Sequence, residues 1–122
     1  MSVTIKLDAD CCPWVTLDVR AGEGSLVAQT KFLFDTGFGR ELAMDADTIA
    51  KLGLAFVEEI EVFNTAGARK TKTYKGEVKW DGKFRPVEVM ESQRFLVGAK
   101  LMRGHRIKGK FVAHAYLVLE SL

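Results

Sequence analysis

The stretch Lys31-Phe32-Leu33-Phe34-Asp35-Thr36-Gly37-Phe38 limits what this chain can fold into more than any other. Aromatic and branched residues in a short apolar run fit a buried strand. Asp-Thr-Gly at its end is turn chemistry, with Gly37 permitting a tight turn. Asp35 is therefore expected where a core strand leaves the sheet. A carboxylate there is costly unless it is hydrogen-bonded, paired or protonated. That cost marks Asp35 as a candidate functional residue; the simpler reading is a triplet that caps a hairpin.

The neighbouring segments supply partners for such a strand. Val3 to Leu7 alternates and reads as a first strand, and Asp8 to Pro13 is a break. Trp14 to Arg20 alternates again, with Val15, Leu17 and Val19 on one face. The turn Ala21-Gly22-Glu23-Gly24-Ser25 then returns the chain as Leu26 to Phe34, a hairpin whose second arm delivers Asp35. Arg40 to Met44 is a short strand. Asp45 is a helix N-cap for Ala46 to Leu52, with Asp47 at the positive dipole end, Gly53 at the left-handed stop and Leu54 folding back on Ile49.

Glu59 to Phe63 reads as a strand, Asn64 to Arg69 as a mobile loop or hairpin tip, and Lys70 to Trp80 as an alternating strand. Asp81-Gly82 is a two-residue hairpin signal. Phe84 to Met90 is its partner, with Pro86 pointing to an edge or bulge. Phe95 to Gly98 is a short buried strand, and Ala99 to Met102 one helical turn ending at Gly104. Phe111 to Leu119 reads as a final strand, apolar on both faces, and so central or in a subunit interface. The class is mostly β with one or two short helices. A length of 122 residues makes residues 1–122 a single domain.

At this point the chain resembles the single-lobe, retropepsin-like aspartic proteases, including the small bacterial members of that group. The likeness rests on an apolar strand ending in Asp35-Thr36-Gly37, then a short strand and helix. A hairpin with a small-residue tip at Thr65-Ala66-Gly67 follows, placed like the family's substrate-covering flap. Later comes Leu96-Val97-Gly98-Ala99-Lys100-Leu101-Met102: two apolar residues, a glycine, two variable residues and two apolar ones. The match runs from about Trp14 to Phe111.

The resemblance implies a closed β-barrel with one lobe per chain and Gly98 packed near the active-site loop. It also implies an obligatory homodimer, in which a twofold axis supplies a second Asp35. Two carboxylates so close share one proton, and the pair activates a water for peptide hydrolysis. By the same resemblance Thr36 hydrogen-bonds across the dimer, Gly37 donates a backbone amide to the carboxylates, and the flap closes over an extended peptide or protein substrate. The chain departs from many relatives at Phe38-Gly39, where no side-chain hydroxyl supports the outer carboxylate oxygen. Phe38 is expected in a substrate subsite.

Other features carry less. A net charge of +2, with 48% hydrophobic and 28% charged residues, suits an ordinary soluble globular protein and argues for neither nucleic acid nor membrane. No apolar run reaches transmembrane length and no signal-peptide pattern is present, so the expected location is cytoplasmic. Cys11-Cys12, adjacent and before Pro13, are a loop feature; no metal site and no cofactor are expected. His105 and His114 are read as surface or interface residues, His105 within the basic run Lys100, Arg103, Arg106, Lys108, Lys110. The leading function is a homodimeric aspartic endopeptidase. Its rivals are a dimeric peptide-binding module of the same fold with weak or no catalysis, and, more weakly supported, a small β-barrel adaptor with a basic surface for nucleic acid.

Overall fold

The computed structural model describes residues 2–122, and the architecture is mostly β. The strands are β1 (Ser2–Leu7), β2 (Pro13–Arg20), β3 (Ala28–Asp35), β4 (Leu42–Met44), β5 (Ala55–Asn64), β6 (Gly67–Trp80), β7 (Lys83–Glu91), β8 (Leu96–Gly98), β9 (His105–Lys108) and β10 (Tyr116–Ser121). A helix, α1 (Ala46–Leu52), and a 3₁₀ turn at Ala99–Met102 complete the described residues. No helix among them is long and apolar enough to cross a membrane.

The strands lie in the order β5-β6-β7-β4-β8-β3-β2-β1-β10-β9, and β2 also pairs β6 at Val19↔Val78 and Arg20↔Glu77. The sheet therefore curls back on itself. Alternation places Val15, Leu17 and Val19 of β2 inside, where they meet Phe32 of β3, Val78 and Trp80 of β6, and Leu117 and Leu119 of β10 in one apolar core. The segment of β7 around Pro86 pairs β6 but is not reached by β4, whose pairing begins at Val89. A residue without an N–H fits that one-sided position.

One connection decides the site. β8 is inserted between β3 and β4, parallel to the first and antiparallel to the second. Residues 36–41, which join β3 to β4, must therefore cross the end of β8.

Helix α1 follows its local signals. Asp45 Oδ1 accepts from the Thr48 amide at 2.9 Å. At the other end Gly53 is left-handed at φ 68°, and the Leu54 amide donates back to the Ile49 carbonyl at 3.2 Å. Ile49 and Leu52 enter the core. At the β6–β7 turn Asp81 and Gly82 have φ of 53° and 83°, as a tight hairpin with both central residues left-handed requires.

Several boundaries differ from the sequence reading. The last strand is Tyr116–Ser121, not Phe111 to Leu119, and Phe111 and Val112 are exposed. Their backbone closes local turns instead: the Val112 amide donates to Lys110 O and the Ala115 amide to Val112 O. The apolar run looked strand-like, but its first part is spent turning the chain from β9 into β10. Strand β9 itself, HRIK, has no apolar alternation to reveal it and exists through its pairing with β10. The strand before the hairpin tip begins at Ala55, and the expected loop from 64 to 69 shrinks to the turn Thr65-Ala66, with Asn64 paired to Gly67. Strand β3 starts at Ala28 and β8 at Leu96.

Candidate functional site

Asp35 is the last residue of β3 and lies opposite Gly98 in the parallel β3–β8 pairing. The turn beyond it is built on this aspartate. The Gly37 amide donates to Asp35 Oδ1 at 2.9 Å, and the Phe38 amide to the Asp35 carbonyl at 3.1 Å. A Cβ on Gly37 would stand 3.2 Å from Asp35 Oδ1, so glycine keeps the approach open. Thr36 and Gly37 are exposed.

The crossing loop is pinned to the end of β8. The Gly98 amide donates to Glu41 O and the Ala99 amide to Phe38 O, each at 2.8 Å. A Cβ on Gly98 would collide with the Arg40 carbonyl and lie 2.6 Å from the Phe38 carbonyl. Further along, Arg40 Nη1 pairs Glu88 Oε1 at 2.7 Å and the Glu88 amide donates to Glu41 Oε1 at 2.9 Å. The loop is thus tied to β8 on one side and β7 on the other.

Two-residue alternation puts Leu33 and Asp35 on one face, while Phe32 and Phe34 point into the main core. Leu33 joins a second, smaller cluster of Ala43, Met90 and Leu96, packed by Phe38, Ile60 and Val62. Since Ile60 and Val62 belong to β5, the β5–β6 hairpin folds over the face from which Asp35 projects. Thr71 Oγ1 donates to Glu91 O at 2.7 Å and Thr73 Oγ1 to Glu58 O at 3.3 Å, which anchors the hairpin base. A register shift between Phe56 and Glu58 adds local twist. Its tip residues Thr65, Ala66 and Gly67 are exposed. The result is an apolar floor under an overhanging hairpin, with a carboxylate at its margin.

Sequence reasoning located Asp35, Gly98 and the hairpin but missed the floor. Leu33, Ile60 and Val62 looked like ordinary strand residues; only the fold of the hairpin brings them together. Phe38 is half-buried in this floor, packed against the end of β8.

His105 corrects the sequence reading. It is not a surface residue: its side chain is only 7% exposed. Nδ1 faces the Arg103 carbonyl at 2.9 Å and Nε2 faces Asp81 Oδ2 at 3.0 Å. Both of these neighbours are acceptors and favour a protonated ring, while the Trp80 indole N–H, which can only donate, also faces Nε2 at 3.3 Å. Burial alone lowers its pKa, but the Asp81 hydrogen bond and then the Arg103 carbonyl outweigh that and raise it. Asp81 shifts the other way: burial raises its pKa, but hydrogen bonds from His105 and Ser121 outweigh burial and leave it lowered. The cluster ties the β6–β7 turn to β9 and β10. His114 is exposed.

Asp8 closes the loop that carries Cys11 and Cys12, accepting from the amides of Asp10 and Cys12 and from Trp14 Nε1 at 2.9, 2.9 and 3.0 Å. Both thiols are free and half-buried. No group of three or more His, Cys, Asp or Glu among the described residues could hold a metal ion. No protein-family model matches the chain, and no curated protein matches it in sequence.

Proposed function

We propose that this protein is an aspartic endopeptidase of the retropepsin-like kind, active as a homodimer with one Asp35 from each chain. The observation that carries the reading is the placement of Asp35. It ends a core strand beside Gly98, takes the Gly37 amide, and borders an apolar floor overhung by the β5–β6 hairpin. The run of pairings β6–β7–β4–β8–β3–β2–β6 supports the closed-barrel form of that fold.

Chemistry follows from pairing two such carboxylates. Like charges a few ångströms apart do not both ionise, so the dyad holds one proton. The ionised member takes a proton from a water between them as the water oxygen bonds to the scissile carbonyl carbon. The protonated member gives its proton to the carbonyl oxygen. Collapse of this tetrahedral adduct breaks the C–N bond: the protonated member gives its proton to the leaving amine while an adduct hydroxyl gives its proton to the ionised member, so the dyad again holds one proton. The Gly37 amide holds the carboxylate in place, a task no side-chain hydroxyl performs at Phe38-Gly39. The hairpin covers an extended peptide, and its inner residues Ile60 and Val62 with Phe38 offer apolar contact.

The test is cleavage of a proteome-derived peptide library from mildly acidic to neutral pH, read by mass spectrometry, beside Asp35→Asn. Asparagine keeps an oxygen for the Gly37 amide, so the variant folds. Cuts made by the wild type and not by the variant support the reading. Equal cleavage by both removes Asp35 from the mechanism. Tight peptide binding without cleavage, by protein shown to be dimeric, replaces the enzyme with a peptide-binding module.

A further inference from the structure

We infer that the end of the sheet bearing Asp35 docks a second copy of this chain, with Phe111 and Val112 as its apolar anchors. The inference rests on the reading of Asp35 as half of a two-chain carboxylate pair, since that site is incomplete in one chain.

Strand directions place the parts. β3, β2, β1 and β10 are successively antiparallel, so the end of β3, the β1–β2 loop and the segment before β10 all emerge at the same end of the sheet. One row of partners runs Leu33↔Trp14, Trp14↔Lys6, Lys6↔Tyr116. Three strand spacings make that row about 14 Å long. A twofold axis beside Asp35 needs an interface around it, and a standard patch of about 800 Å² per partner has a radius of about 16 Å. Tyr116, and so the point where the segment from 109 to 115 joins β10, lies near the rim of such a patch.

That segment is held so that its apolar residues point out. The Leu7 amide donates to Ala115 O at 2.9 Å and the His114 amide to Asp8 O at 3.3 Å. Gly109, at φ 140°, lies so close to β10 that a Cβ there would stand 2.9 Å from Tyr116 O. Phe111 and Val112 remain 63% and 55% exposed on this fixed support. A pre-ordered apolar pair surrounded by polar groups is the usual form of an interface anchor, because little entropy is lost on docking.

The charges at this end suit self-association. Lys110 and Asp10 are both exposed, and neither belongs to an ion pair among the described residues. A twofold contact repeats every pairing, so Lys110 of one chain can meet Asp10 of the partner subunit twice. An anionic surface would be repelled by Asp8 and Asp10 on the neighbouring loop.

The experiment is sedimentation across protein concentration, with peptide cleavage on the same samples. It compares wild type, Phe111→Asp with Val112→Asp, and Leu26→Asp with Val27→Asp. The last pair is also exposed but lies at the opposite end of the sheet, in the β2–β3 connection. The expected result is a wild-type dimer that the 111/112 double variant weakens at least 100-fold, with circular dichroism unchanged and cleavage regained at high protein concentration. The 26/27 variant stays dimeric. A 111/112 variant that dimerises and cleaves like the wild type overturns the interface while leaving the peptidase reading standing. A dimer lost only through 26/27 also overturns it. If the wild type dimerises through 111/112 yet never cleaves, the interface stands and the peptidase reading falls. A wild type that is monomeric at every concentration removes both.

Discussion

Gly98 faces Asp35 across the parallel β3–β8 pairing, and the space a Cβ on Gly98 would need is taken by the Arg40 carbonyl. The relationship follows from topology. A loop that joins two strands on either side of a third must pass over the third strand's end, and here it passes at backbone contact. Gly98→Ala should therefore displace the loop that holds Asp35. The expected loss is about 1–3 kcal/mol, as for other forced overpacking, read by urea denaturation. On the proposed peptidase reading, cleavage should also fall by more than the folded fraction explains, because a small shift of a catalytic carboxylate is costly.

Phe38 joins the same loop to the apolar floor of Ala43, Met90 and Leu96. Phe38→Ala should destabilise the half-buried site by about 1–2 kcal/mol, less than a fully buried phenylalanine. On the proposed peptidase reading it should also change which side chains are accepted beside the cut. Library cleavage by wild type and variant measures this; an unchanged preference removes Phe38 from the subsite and leaves it a packing role.

The His105 cluster makes stability depend on pH. Because the folded pKa of His105 is raised, its contribution is complete below the unfolded value of about 6.5 and is lost as pH rises through the folded value. Asp81, lowered on folding, contributes above its unfolded value of about 3.9 and loses that as pH falls through the folded one. Both act together between roughly pH 4 and 6.5. Urea midpoints should decline from mildly acidic toward alkaline pH in the wild type, and His105→Gln should flatten that decline. An equal slope in the variant would assign the decline to other groups.

Asp45 starts α1 by accepting the Thr48 amide. Asp45→Ala should cost about 1 kcal/mol, and Asp45→Ser much less, since serine can accept the same bond. Thermal unfolding of the two variants separates loss of the cap from loss of charge.

Local chemistry was legible where neighbours in sequence decide the outcome. The α1 caps, the Asp81-Gly82 turn and the alternation of β2 and β6 all depend on contacts within a few residues. The final strand was misjudged because apolar content does not say which amides pair across a sheet and which close a turn; the Val112 amide does the second. His105 was misjudged for a related reason. Its partner Asp81 is 24 residues away, and a basic run in sequence says nothing of a carboxylate brought in by a hairpin.

The sequence by itself determined that a strand ends in Asp35, that Gly37 permits the turn, and that a helix lies between Asp45 and Gly53. These follow from backbone preferences and short-range hydrogen bonds. Only the tertiary structure decided that β8 inserts between β3 and β4, that Gly98 must lack a Cβ, and that Ile60 and Val62 roof the floor beside Asp35. Those facts depend on strand order and strand direction. Strand order is set by how the whole apolar core is buried at once, which no single stretch of the chain encodes.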